Sequence, residues 1–199
     1  MILLRIVSFV FTCLFLMPVA LSANNAKSTV ITYHAQLLSA IADPKNTSDA
    51  LRFNALAPAM DKAFDFETMT KTIIGRSWAK ADDTTKAELL AAFRQVIIAI
   101  YADQFAGLKQ GEFIVSGTRD GPRGLKLVDS KLETPKESVP LVYVLRNKDN
   151  AWRIIDVLLD GGISELAVRA SEYSNILKTS GPKGLVTSLN DQTEALLAN

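Results

Sequence analysis

The chain has 199 residues, enough for one domain or two small ones and for burial of roughly 70% of the surface an unfolded chain exposes. At 48% hydrophobic and 22% charged, with Gly 10 and Pro 7, it is neither collagen-like nor low-complexity and lies at the apolar end of globular usage. Lys+Arg 22 against Asp+Glu 21 leave +1, so no strong field draws it to nucleic acid.

Residues 1–23 have the layout of an export signal: one cation, Arg5, then an apolar run from Ile6 to Leu16, Pro18, and small residues before a cut after Ser22 or Ala23. The run is shorter than the roughly 20 residues a membrane-spanning anchor needs. A cleaved leader over 1–23 and a single mature domain over 24–199 are therefore expected, with delivery to the periplasm. The only cysteine, Cys13, falls in the leader, which leaves the mature domain without a disulfide or a thiol. Thr12 before that cysteine, and apolar sequence after it, speak against a lipid-modified start.

Downstream, Val30, Leu37, Leu38 and Ile41 at helical spacing predict a helix from Ser28 to Ile41, stopped by Asp43-Pro44. A second helix follows from Asp49 to Met60. Asp65 caps a short one that ends at Gly75, with Trp78 in the turn beyond. From Thr84 to Leu108 apolar residues cover an arc of roughly 200°, about twice the stripe that one core surface requires. Either the rest of the protein surrounds this helix, or a ligand covers part of it. Four strand-like segments come next, Glu112 to Arg119, Leu125 to Glu133, Val139 to Asn147 and Trp152 to Asp160, and their short connections suit antiparallel hairpins. The last two are apolar on both pleat faces, so cover on both sides is expected. Ser164 caps a helix with Leu166, Ala170, Tyr173 and Leu177 inward and Glu165, Arg169 and Glu172 on the other side. Gly181 stops that helix, and Pro182 starts the final one.

Catalytic equipment is sparse. His34 is the only histidine and reads as an ordinary helix residue. No nucleophile elbow, phosphate-binding Gly-rich loop or metal-ligand cluster accompanies it. Asp156 and Asp160, on one pleat face, are the best placed acid-base pair, although a backbone amide or arginine partner for Asp156 and a turn role for Asp160 account for both. Gly161-Gly162-Ile163-Ser164 could receive an anion at a helix start, but a plain turn with an N-cap explains the same residues.

Export, neutrality and apolar surface beyond the needs of one core point to a carrier for an apolar molecule. At about 0.8 kcal/mol per methylene, a 16-carbon acyl chain crossing water exposed costs on the order of 12 kcal/mol, so such a carrier must replace the bilayer with a dry pocket that has a wet mouth.

The ordered segments Phe64-Asp65-Phe66-Glu67-Thr68-Met69, Ile74-Gly75-Arg76-Ser77-Trp78, Ala92-Phe93-Arg94 to Ile100-Tyr101-Ala102 and Trp152-Arg153-Ile154-Ile155-Asp156-Val157 with Gly162-Ile163-Ser164 resemble the MlaC, or toluene-tolerance, family over nearly all of the mature chain. Ile163-Ser164-Glu165-Leu166-Ala167-Val168-Arg169 with Ser171-Glu172-Tyr173 resembles its hopanoid-associated HpnM branch. The resemblance implies an α+β fold, a twisted antiparallel four-stranded sheet wrapped by six to seven helices, with an apolar cavity between sheet and helices. It further implies a monomeric periplasmic shuttle for phospholipid or a hopanoid-type lipid. Its partners would be an inner-membrane ABC transporter of MCE type and an outer-membrane lipoprotein complex, and it would have no cofactor, no metal and no enzymatic activity.

On that basis Phe66, Trp78, Ile97, Tyr101, Phe105, Val142, Val144, Ile155, Val157 and Tyr173 are placed on or near the cavity wall, with core packing the alternative for each. Asp156 and Arg169 resemble the family's internal polar pair. Two other functions stay open: an enzyme using Asp156 and Asp160, and an interaction module whose apolar excess is a partner surface.

Overall fold

A computed structural model of the chain describes residues 25–108, 110–160 and 162–198; the expected leader, with Cys13, lies outside them. Helix α1 (Ala26–Ala42) begins at a reciprocal cap, in which Ser28 N donates to Asn25 Oδ1 at 2.8 Å and Asn25 N donates to Ser28 Oγ at 3.1 Å. Ser48 caps α2 (Asp49–Ala63), which carries Pro58 internally. Asp65 caps α3 (Phe66–Ile74) by accepting from Thr68 N at 3.1 Å. The helix stops at Gly75, whose φ of 56° favours a residue without Cβ. A 3₁₀ turn, Gly75–Lys80, then carries Trp78 to Asp82, the cap of α4 (Asp83–Gln104).

The sheet runs β1 (Glu112–Asp120), β2 (Lys126–Glu133), β3 (Ser138–Lys148), β4 (Ala151–Leu159) and β5 (Ile163–Ser164), in that spatial order and antiparallel throughout. Asp149 and Asn150, both at positive φ, form the two-residue turn between β3 and β4. The expected four strands thus become five. After Asp160 the chain folds straight back, so that Ile163 and Ser164 pair with Leu159 and Leu158 before the next helix starts. That helix is α5 (Glu165–Thr179), and α6 (Gly181–Leu197) completes the chain. A bulge between Val115 and Gly117 offsets β1 on β2, and another at Ile155 offsets β4 on β3.

Register assigns the faces. Val128, Tyr143 and Val157 lie side by side across β2, β3 and β4 and are buried. His34 Nε2 meets the Tyr143 hydroxyl at 2.9 Å, and its ring stacks on Phe113 at 4.1 Å, so α1 packs on this face. One residue out of phase, Leu127, Val144 and Asp156 point the other way. The free edge of β4 is also used: Asp65 N donates to Ile154 O at 2.8 Å, which ties the start of α3 to the sheet.

Helix α4 is the centre of the helical layer. Leu89, Phe93, Val96, Ile98, Ala99 and Ala102 are almost wholly buried, and the helix packs against α2, α3 and α6. Most of its wide apolar arc therefore meets the protein's own helices, the first of the two possibilities the sequence left open.

Candidate functional site

Helix α5 crosses back over the sheet and α3, and a crevice remains beneath it. The lining comes from Phe64, from Met69 on α3, from Phe93, Ile97 and Tyr101 on α4, from Asp156 and Val157 on β4, and from Glu165, Leu166 and Arg169 on α5. Phe93, Ile97 and Tyr101 recur every four residues and so present one face of α4. Most of the lining is apolar or aromatic, and Asp156, Glu165 and Arg169 are its charged residues. The cavity volume is only about 10 Å³, the limit for a single water and far below the roughly 300–1,000 Å³ of ligand pockets. The crevice is therefore closed, and an occupant must widen it.

Asp156 ties β4 to the start of α5. Its Oδ1 accepts from Val157 N at 2.8 Å and Leu166 N at 3.1 Å, while its Oδ2 accepts from Ser164 Oγ at 2.6 Å. Ser164 Oγ in turn accepts from Ala167 N at 2.9 Å and caps α5. The first amides of α5, which could have received an anion, are thus already bonded to the protein's own oxygens. Glu165 has much less, a contact from the Tyr101 hydroxyl at 3.4 Å. Burial pushes its carboxyl upward, partly opposed by the Arg169 guanidinium. Burial likewise raises the phenols of Tyr33, Tyr101 and Tyr143 and lowers the His34 imidazole to about 4, so all four are neutral. The Tyr33 hydroxyl is buried without a partner.

Broader grooves lie on the surface. One of about 310 Å³ runs between α1, α2 and the start of β4, beside Thr29, Gln36, Lys62 and Arg153. Another, of about 400 Å³, is bounded by Glu67, Thr68, Lys71, Arg146 and Lys148, whose charges are largely paired with one another and with Asp65. Among the described residues no cluster of His, Cys, Asp and Glu could hold a metal ion, and no helix is long and apolar enough to cross a membrane.

Of the residues expected on the cavity wall, Ile97, Tyr101 and Val157 line the crevice. Phe66 stands one layer behind, stacked on Phe64 at 5.8 Å. Phe105 packs against Tyr101 at 5.7 Å and Phe113 at 6.1 Å, and Tyr173 is buried two turns beyond Leu166 on α5. Trp78 sits outside, with Lys71 Nζ 5.7 Å over its ring. Val142 and Val144 alternate with Tyr143 on β3 and share the sheet face of Leu127 and Asp156; neither is among the residues that line this crevice. Ile155 occupies the bulge. Asp156 and Arg169 share the crevice but do not pair, since Asp156 is bonded to amides and Ser164 while Arg169 Nη1 meets Glu172 at 3.2 Å. Glu165 and Arg169 are corrected from the outer side of α5 to its crevice face. Asp156 and Asp160 form no acid-base pair: Asp160 is exposed at the turn, at positive φ.

Sequence reasoning did not place Phe64, Met69, Phe93, Glu165 or Leu166 on the wall. Phe93 and Leu166 sit on the apolar stripes of their helices, a signal that was legible. Glu165 was hidden by its charge.

Seven chains of solved structures match this protein. One is the phospholipid-binding protein from Ralstonia solanacearum, solved in complex with a phospholipid, with a TM-score of 0.77 and 22% sequence identity, covering 86% of this chain and 98% of that one. A search of curated proteins finds no match. The family model described as MlaC protein matches residues 32–191, from α1 into α6. With the match running through every strand and all the elements that wall the crevice, the chain belongs to the MlaC family.

Proposed function

We propose that the protein binds a lipid by taking acyl chain into the crevice between β4, α3, α4 and α5, and that it serves as a periplasmic shuttle rather than an enzyme. The observation that carries this reading is the crevice itself: a slot between sheet and helices lined mostly by apolar side chains, with Asp156, Glu165 and Arg169 as its charged residues, the composition an amphiphile's site requires. The phospholipid bound to the Ralstonia protein, which shares the fold, supports it.

Because the slot is closed, α5 must act as its lid. Only Leu166 and Tyr173 of that helix are fully buried, and the helix is bounded by Gly162 at φ 116° and Gly181 at φ 68°, so it is the wall most cheaply displaced. The cargo is phospholipid or a hopanoid-type lipid, moved between outer and inner membranes in partnership with an ABC transporter of MCE type and an outer-membrane lipoprotein complex. A leader cleaved near residue 23 would deliver the protein there.

Protein purified from a lipid-containing host should release stoichiometric lipid on solvent extraction and in native mass spectrometry. Lipid-free protein that also takes nothing from vesicles would reject the reading. The lid is tested by cysteines at Met69 and Leu166 in a Cys13→Ser background. Joining them with a short, reducible bismaleimide should stop lipid uptake from vesicles, and cleaving the linker should restore it. Equal uptake in both states would mean that α5 does not open.

A further inference from the structure

The groove between α1, α2 and the start of β4 shares no residue with the crevice, and its charge is one-sided. Lys62, in the last turn of α2, and Arg153 on β4 line it with hydroxyls and an amide from α1, and no carboxylate does. Asp61, the acid adjacent to Lys62 in the chain, is held by Arg94 through two bonds of 2.6 and 2.7 Å, so it does not neutralise its neighbour. The Arg153 guanidinium reaches the Asp61 carbonyl at 3.5 Å, which leaves its charge in place. In a chain whose formal charge is only +1, two cations without an acid in one concavity are a local excess.

Helix α1 supplies one wall. Ser28, Thr32 and Gln36 line the groove at four-residue intervals, which stacks them along one side of the helix over about 12 Å at 1.5 Å per residue. That length matches three or four residues of extended chain at about 3.3 Å each. Across from it the half-buried Trp152 offers an apolar ring. The β4 edge is not available for strand addition here, because Trp152 O already accepts from Thr29 Oγ1 at 3.2 Å; an incoming segment is held by side chains instead.

We propose that this groove docks an acidic, extended segment of a partner protein, with carboxylates on Lys62 and Arg153 and an apolar side chain on Trp152. The inference goes beyond the lipid-binding reading and does not depend on it. The groove is a concavity of about 310 Å³, which suits a peptide, whereas a bilayer is flat and meets cations that stand proud of a surface. A contact of so few residues buries too little area for a lasting complex, the behaviour a shuttle requires. No residue of α5 borders the groove, so a docked partner leaves that helix uncovered.

The test selects random octapeptides displayed on phage against the immobilised full chain, then measures the recovered peptides by fluorescence anisotropy. Asp and Glu should be enriched about threefold over the unselected pool. Lys62→Ala and Arg153→Ala should each weaken the best peptide about tenfold, as the loss of one charge-assisted contact provides. Lys62→Glu combined with Arg153→Glu should exchange the preference and recover peptides rich in Lys and Arg. Peptides without an acidic bias, affinities unchanged by the alanine variants, or a charge-reversed protein that still selects acids would each overturn the inference. So would the recovery of no peptide, and binding to phosphatidylglycerol vesicles that is lost on charge reversal would then assign the groove to a membrane surface. If the double variant does not fold, Lys62→Glu at its exposed position decides alone. Lipid extracted from wild type and variants should be equal in amount, so failure of the docking leaves the lipid-binding reading standing, and lipid-free protein that binds acidic peptides would sink only that reading.

Discussion

The His34 imidazole, stacked on Phe113 and bonded to the Tyr143 hydroxyl, is buried and lowered from 6.5 to about 4. Between those values the unfolded chain takes up a proton that the folded chain refuses. Stability is therefore full above about pH 6.5 and falls as the medium is acidified toward pH 4, by about 1.4 kcal/mol per pH unit and about 3 kcal/mol in all. Other groups must be kept apart from this. The raised Glu165 carboxyl works in the opposite direction, since the folded state holds its proton more tightly as pH falls. The Glu67 carboxylate, drawn down to about 2 by its bonds to Lys148 and Lys71, contributes stability that is present above about pH 4.5 and is lost only below it. Both are common to wild type and a His34→Gln variant, in which glutamine can still bond Tyr143 but does not titrate. Urea unfolding of the two proteins from pH 7 to pH 4 should give a difference in unfolding free energy that is constant near neutrality and shifts by about 3 kcal/mol across the acid limb, with wild type the more acid-sensitive. A difference that stays flat over the whole range would refute the buried, neutral histidine.

Two further substitutions test the frame of the crevice. Asp156→Ala should cost about 3 kcal/mol or more in urea unfolding, because it strips two backbone amides and Ser164 of a charged acceptor; a loss below about 1 kcal/mol would show that water replaces those bonds without penalty. At Gly75 a Cβ would meet nothing within 4 Å, yet the backbone is at φ 56°, ψ −128°. Gly75→Ala should then lose about 1–3 kcal/mol purely as backbone strain, and an unchanged midpoint would mean that the α3 terminus relaxes freely.

The elements were legible because their signals are local. Asp65, Ser164, Gly75 and Gly181-Pro182 mark ends that a single residue's chemistry decides, and the structure keeps them. The meander was equally plain from hairpins too short for crossovers. β5 was missed because two residues carry no alternation to detect. The crevice lining was legible only where helical periodicity points into it, as at Ile97 and Tyr101. Val142 and Val144 could not be assigned to a face beforehand, because a strand apolar on both faces does not reveal which face a helix will cover. Glu165 failed for the opposite reason, since its charge argued for solvent, and only the passage of α5 over Tyr101 puts it inside.

The sheet has two rims, and they are finished differently. On the β4 side, Phe64–Asp65 at one end and β5 at the other occupy the outer hydrogen-bonding groups, so little of that rim can template another chain. On the β1 side the rim is open, but the bulge at Val115/Gly117 disrupts its regular repeat, and Glu112, Arg119 and Asp120 set charges along it. A flat, uncharged rim would recruit strands from neighbouring molecules. The proposed parting of α5 from the sheet would thus leave the sheet a poor seed for aggregation.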